Sequence, residues 1–278
     1  MSAIAIAVIL LGVLGAGFGL VLAVASKKLT VEADPRVGAI LEALPGANCG
    51  GCGYPGCAAM AEAIASGVAP VNGCPVGKSA CAAKIAAIMG VEIDVSAKPK
   101  FPQVFCQGGK AQRTDRFYYF GVRDCAAAQM LNGGYKVCES GCLGLGSCVQ
   151  ACKFDALRIN DNELPEVDPA KCTGCGACAQ ACPRHLIQLV DEDSRVRVLC
   201  QNHGRGPEVK KACQVGCIGC GICARNCPEK AITLTDNLPV IDPAKCTACG
   251  LCVQKCPMKT IKMARTETGQ ETAEARLN

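Results

Sequence analysis

Twenty-five of the 278 residues are cysteine, and sixteen of these fall into four short blocks. The clearest reads Cys172-x2-Cys175-x2-Cys178-x3-Cys182 and is closed by Pro183. The spelling returns at Cys217, Cys220, Cys223, Cys227 with Pro228, and at Cys246, Cys249, Cys252, Cys256 with Pro257. Three thiolates this close can grip one iron–sulfur cubane, while the fourth reaches a neighbouring cluster; this is the ligand run of bacterial-type iron–sulfur proteins. Such residues serve one-electron transfer. The remaining block, Cys138, Cys142, Cys148, Cys152, departs from the pattern. Leu145 stands in the place matched by Cys220, and Lys153 replaces the proline.

Other uses of cysteine fit less well. A disulfide framework is disfavoured by an odd count and by dense Cys-x2-Cys pairs. Structural zinc usually takes two cysteine pairs separated by a longer stretch. Ten aromatic residues and no Trp make a poor supply for a conventional core of this size. Clusters therefore act as the staples that a small core needs. The formal charge of +5 counts every thiol as neutral. A cubane with four thiolates carries about −2, so five would bring the total to about −5. No basic stripe with interleaved aromatics occurs, and nucleic acid is not an expected partner.

The cysteines are carried by an α+β chain with distinct parts. Residues 2–25 contain no charge, and 24 residues make a helix of about 36 Å, enough to cross a bilayer. Lys27 and Lys28 follow, which places the amino terminus outside and the remainder in the cytoplasm. A cleaved signal peptide is the competing reading, since Ala23-Val24-Ala25 resembles a cleavage site. The absence of Lys or Arg before the apolar run favours an uncleaved anchor over residues 1–27, held in the cytoplasmic membrane. Residues 28–98 form a second unit around Cys49, Cys52, Cys57 and Cys74, with short helices expected over 35–44, 58–66 and 79–89. Cys81 lies in the last of these and reads as a small core residue. Pro99 and Pro102 read as a linker.

The rest is a tandem repeat. Asp168-Pro169-Ala170-Lys171-Cys172-Thr173 is restated at 242–247, and Cys138, Cys142, Cys148, Cys152 lie 75 positions before Cys213, Cys217, Cys223, Cys227. Two ferredoxin modules follow, residues 99–193 with the linker and 194–265, before a charge-rich tail, 266–278, that reads as disordered. Short strands are expected over 157–159, 187–190, 232–234 and 261–263. Crossing the fourth cysteine of each run to the neighbouring cluster gives four sites. They are Cys172, Cys175, Cys178 with Cys152; Cys148 and Cys182 with Cys138 and Cys142; Cys246, Cys249, Cys252 with Cys227; and Cys217, Cys220, Cys223 with Cys256. The alternative that Cys213 ligates in place of Cys220 stays open. With the first unit this makes five [4Fe-4S] clusters. Cys106, Cys125, Cys200 and Cys213 are further candidates, and 24 thiols permit a sixth.

An apolar helix, a Cys-x2-Cys-x4-Cys-x16-Cys unit and ferredoxin modules, in that order, resemble the B subunit of the Rnf-type ion-translocating electron-transport complex. The runs that carry the resemblance are Ala47-Asn48-Cys49-Gly50-Gly51-Cys52-Gly53-Tyr54-Pro55-Gly56-Cys57 and Gly141-Cys142-Leu143-Gly144-Leu145-Gly146-Ser147-Cys148. The resemblance covers nearly the whole chain and implies a relay, one component of a translocase that couples electron transfer between ferredoxin and NAD to movement of Na⁺ or H⁺. Soluble ferredoxin, an NADH-binding subunit, a flavin-bearing subunit and the membrane are the implied partners. A membrane-anchored polyferredoxin serving another redox enzyme, or reducing a cluster-bearing regulator, is the alternative. The residues agree with a relay: there is no dinucleotide fingerprint. His185 is expected beside a cluster and His203 in a loop. Lys210, Lys211, Lys255, Lys259 and Lys262 are candidates for docking an acidic ferredoxin.

Overall fold

The computed structural model describes residues 3–28, 34–93, 100–191 and 195–264. Helix α1 (Ala3–Lys28) carries a window, Ile9–Ser26, of mean hydropathy 2.3 that is wholly unburied. By length and composition this is a candidate membrane span at the amino terminus.

Three helices, α2 (Pro35–Ala43), α3 (Cys57–Ala65) and α4 (Lys78–Met89), build the next unit. Asp34 caps α2 through the Arg36 amide, with Pro35 in the first turn where its missing N–H costs nothing. Their alanine-rich faces close on Ile40, Met60, Ile64 and Ile85, all essentially buried. Cys81 joins this core, as its place in an apolar helix suggests.

The first module runs through β1 (Lys100–Val104), α5 (Cys125–Met130), α6 (Ser147–Gln150), β2 (Leu157–Ile159), β3 (Pro165–Val167), α7 (Ala177–Gln180) and β4 (Ile187–Asp191). The second runs through β5 (Val196–Val198), α8 (Gly206–Ala212), α9 (Ile222–Arg225), β6 (Ile232–Thr235), β7 (Leu238–Ile241), α10 (Leu251–Lys255) and β8 (Ile261–Met263). The repeat is explicit in the pairing. Strand β1 pairs antiparallel with β4 as β5 does with β8, and β2 pairs with β3 as β6 does with β7. The one-turn helices α7 and α10 each follow a glycine at positive φ, Gly176 at 79° and Gly250 at 76°. A side chain there would strain the turn that points the run's thiols inward.

Pro102 is not in a linker. It lies within β1 opposite Leu189, which a two-stranded sheet allows because every strand has a free edge. Pro99 and the 266–278 tail lie outside the described residues. The modules are also joined. Arg113 bridges to Cys213, and the Gln107 amide donates to the carbonyls of Val215 and Lys259.

Candidate iron–sulfur centres

All 25 cysteines are free; four pockets are each lined by four of them, and two further groups lie toward the amino-terminal side. Site 1 belongs to the α2–α4 unit. Cys52, Cys57 and Cys74 pack against its core, and the charges of Cys52 and Cys57 bear on Cys74. Asn48 accepts from the Cys57 amide at 2.8 Å, which folds the Cys49 loop back over the same spot. Site 2 joins Cys152, Cys172, Cys175 and Cys178, which act electrostatically on one another. Site 3 is a pocket lined by Cys125, Cys142, Cys148 and Cys182. Site 4 is a pocket lined by Cys106, Cys138, Cys200 and Cys213. Site 5 is lined by Cys217, Cys220, Cys223 and Cys256. Site 6 is lined by Cys227, Cys246, Cys249 and Cys252.

Sites 1, 2, 5 and 6 are the groupings expected from the sequence. Site 3 is not. Cys125, at the start of α5, takes the place assigned to Cys138. It supplies the thiol missing at Leu145, because Ser147 accepts from the Cys125 amide at 2.7 Å and ties α5 to α6. Cys138 goes instead to site 4 with Cys106, Cys200 and Cys213. Cys213 and Cys220 therefore do not compete for one position.

Site 4 has an internal symmetry. Cys106 follows β1 and Cys200 follows β5; Cys138 and Cys213 precede the equivalent runs of the two modules. The Cys142 amide donates to Cys106 Sγ at 3.4 Å, and the equivalent Cys217 amide donates to Cys200 Sγ at 3.4 Å. One cysteine of each kind from each copy closes the ring between the modules.

The sites form a series. Site 1 meets site 2 by close backbone approach: a Cβ on Gly51 would lie 2.4 Å from the Cys175 carbonyl oxygen. Lys153, the residue that replaces the usual proline, donates to the Asn48 carbonyl at 2.7 Å and clamps the same junction. Sites 2 and 3 share α6 and α7, since Cys148 and Cys178 lie on these helices and Cys152 and Cys182 follow them. Sites 5 and 6 share α9 and α10 in the same way. Site 4 touches site 3 through Cys142 and site 5 through Cys217. The order is 1, 2, 3, 4, 5, 6.

Three stretches of the chain match known families of iron–sulfur domains. Residues 44–76 match a family described as an Fe-S cluster, 165–188 a 4Fe-4S binding domain, and 216–264 a 4Fe-4S dicluster domain. The chain is 42% identical over 243 residues to the B subunit of the proton-translocating ferredoxin:NAD(+) oxidoreductase complex of Clostridium ljungdahlii, covering 87% of this chain and 85% of that one. It belongs to the B-subunit family of ion-translocating oxidoreductase complexes. The B subunit of a Methanosarcina acetivorans ion-translocating oxidoreductase complex is 47% identical over 203 residues, 73% of this chain and 76% of that one. The B subunit of the Na(+)-translocating ferredoxin:NAD(+) oxidoreductase complex of Acetobacterium woodii is 46% identical over 213 residues, 77% of this chain; the match spans 64% of that relative's length.

In this member of the family the residues fit cubanes. Among the described residues no group of three or more His, Cys, Asp or Glu side chains is set to hold a single metal ion; the thiols instead line four pockets, four to each. Backbone amides donate to the thiols that a cluster would occupy: Gly77 to Cys74, Ala156 to Cys152 and Leu186 to Cys182, each at 3.4 Å, and Thr260 to Cys256 at 3.3 Å. Such donors around the sulfurs set the position and potential of bound clusters. Burial pushes the Cys142 and Cys148 thiols up to about 12. Burial likewise raises Cys200 and Cys213 to about 11. Iron offsets that cost when it takes up the thiolates. Among the described residues, Arg184 Nε beside site 3, Arg113 Nη1 beside site 4 and Thr173 Oγ1 next to Cys172 are buried donors without a hydrogen-bond partner. Buried polar atoms rarely stay so unless a partner belongs there.

Neither histidine faces these cavities. His185 is exposed just after Cys182, at φ 51°, and His203 Nδ1 lies 2.9 Å from the Asp236 carbonyl oxygen. The five lysines singled out for docking are all exposed.

Proposed function

We propose that this chain is the iron–sulfur relay of a membrane complex that couples electron transfer between ferredoxin and NAD to translocation of Na⁺ or H⁺. Membership of the B-subunit family supports the coupling role. The observation that supports the relay is a series of cysteine groups, four of them pockets lined by four thiols each, with neighbours linked by a shared helix, a backbone contact or an amide–thiol hydrogen bond.

Six [4Fe-4S] clusters are held by the cysteines grouped above, and each supplies one-electron chemistry when bound. The chain's own residues fix the positions. Glycine turns aim the runs inward, amides donate to the sulfurs, and Val and Ile exclude water. Soluble ferredoxin and the flavin-bearing and NADH-binding subunits of the complex are the partners at the ends of the series. Helix α1 anchors the chain with its amino terminus outside, because Lys27 and Lys28 follow the apolar run. Tethering raises the effective concentration of the relay at its membrane partner.

The test is anaerobic purification of the full chain, with iron, sulfide and zinc measured and reduction followed by EPR. About 24 iron and equal sulfide per chain, reduced by ferredoxin, is the expected result. Zinc without sulfide, or clusters that ferredoxin cannot reduce, would overturn the reading.

A further inference from the structure

Two cations are enclosed at the join of sites 3 and 4. Lys136 is 1% exposed and lines site 4, while its ammonium donates to the carbonyl of Cys142, a site 3 cysteine. Arg184 is half-buried and lines site 3. Its Nη1 donates to the carbonyls of Cys138, at 3.1 Å, and Gly141, its Nη2 donates to Gly133, and its Nε has no partner. Among the described residues neither makes an ion pair. The acid acting on Arg184, Glu139, is exposed and already paired with Arg116 at 2.7 Å. Arg113, also at site 4, is neutralised by Asp115 at 2.8 Å and Glu163 at 2.6 Å.

The repeat provides an internal control. Arg184 follows Cys182-Pro183; its counterpart after Cys256-Pro257 is Met258, which lines site 5 just as Arg184 lines site 3. Lys136 precedes Cys138 by two residues; its counterpart before Cys213 is Lys211, which is exposed. The two modules share a cage and differ in enclosed charge.

We infer that Arg184 and Lys136 raise the reduction potential of the cluster at site 3, and of the cluster at the adjoining site 4, above that of the repeat counterpart at site 5. The inference rests on the six-cluster reading. Adding one electron makes a cluster more negative by one unit. A cation held close by in low dielectric favours that state over the oxidised one. A guanidinium cannot shed its charge, and its free N–H adds a donor for sulfur. Electrons that reach the centre of the series are therefore held there between the two modules.

The experiment is an EPR-monitored potentiometric titration of the full chain against Arg184→Met, Arg184→Lys and Lys136→Met, with iron and sulfide counted in each. Arg184→Met, which copies the second module, is expected to lower the electron affinity of site 3 at least tenfold, about 59 mV for one electron. Arg184→Lys, which keeps the charge, is expected to retain most of it. Unchanged midpoints in Arg184→Met at full iron would overturn the inference. So would an equal shift in Arg184→Lys, which would point to packing rather than charge. If Arg184→Met fails to load, Lys136→Met and Met258→Arg decide. A fall at the centre in the first and a rise at site 5 in the second support the inference, and no movement in either refutes it. A wild-type chain with about 20 iron or fewer in place of about 24 would instead remove the six-cluster reading beneath it.

Discussion

Cysteine pairs separate the grouping seen in the structure from the one expected from the sequence. Sites 3 and 4 exchange one thiol between the two schemes: Cys125 or Cys138 beside Cys142, Cys148 and Cys182. Six loaded quartets give about 24 iron per chain. Cys125→Ala removes a site 3 ligand, and Cys213→Ala removes a site 4 ligand. Each is expected to lower the count to about 20. The double variant across quartets, Cys125→Ala with Cys213→Ala, is expected at about 16. Cys138→Ala with Cys213→Ala, both at site 4, stays at about 20, because the second substitution finds nothing left to remove. If three remaining thiolates keep a three-iron cluster, the steps shrink but the pattern of pairs does not. The assay is iron and sulfide per chain, with EPR to count reducible clusters. A silent Cys213→Ala, or a Cys138–Cys213 pair that loses two clusters, would refute the grouping.

Three further outcomes follow from particular contacts. Gly51→Ala would press its Cβ to 2.4 Å from a backbone oxygen that cannot rotate away, so the α2–α4 unit must shift off the first module. A cost of about 1–3 kcal/mol in denaturant unfolding is expected, along with slower electron passage from site 1 to site 2 at unchanged iron; wild-type values in both would remove the junction. Replacing the exposed Lys255, Lys259 and Lys262 by Glu should slow association with an acidic ferredoxin at low salt, and the difference should fade as salt rises. A defect independent of salt would mean that these lysines do not steer. Anaerobic chelation should unfold both modules cooperatively, since cysteines make up much of their cores. Circular dichroism that keeps the β signal after iron loss would show that the peptide folds without it.

Most of sites 1, 2, 5 and 6 was legible because a ferredoxin run is local. Its spacing is set by one tight turn and one short helix, and the fourth cysteine of each run crosses to the neighbouring cluster. Site 3 was half legible. Leu145 announced a missing thiol, but its replacement arrives from α5, twenty residues upstream, and a chain return of that length leaves no spacing to read. Cys138 lay nearer in sequence and misled for that reason. Site 4 was hidden by the same cause in stronger form, with four ligands spread from Cys106 to Cys213 in no run at all. A signal was nevertheless present: Cys106 and Cys200 each follow a module's first strand, and Cys138 and Cys213 are a repeat pair. Pro102 was misread because Pro is stronger evidence against a central strand than against a two-stranded edge.

The arithmetic of the repeat explains why site 4 exists. Duplicating a ferredoxin module yields two short series, 2–3 and 5–6, each closed within its own copy by crossed cysteines. No thiol of either series belongs to the other copy. Site 4 takes one thiol from after the first strand and one from before the first run of each copy, so half a site is present in each module and neither half can hold a cluster alone. The amide–thiol bonds at Cys142 and Cys217 fix those halves in equivalent poses, one toward site 3 and one toward site 5. Removing the second module would therefore take away three quartets rather than two. The Arg113 bridge to Cys213 and the Gln107 bonds to Val215 and Lys259, which hold the modules together, hold the ligands of site 4 as well. Docking of the modules and continuity of the relay are one structural event.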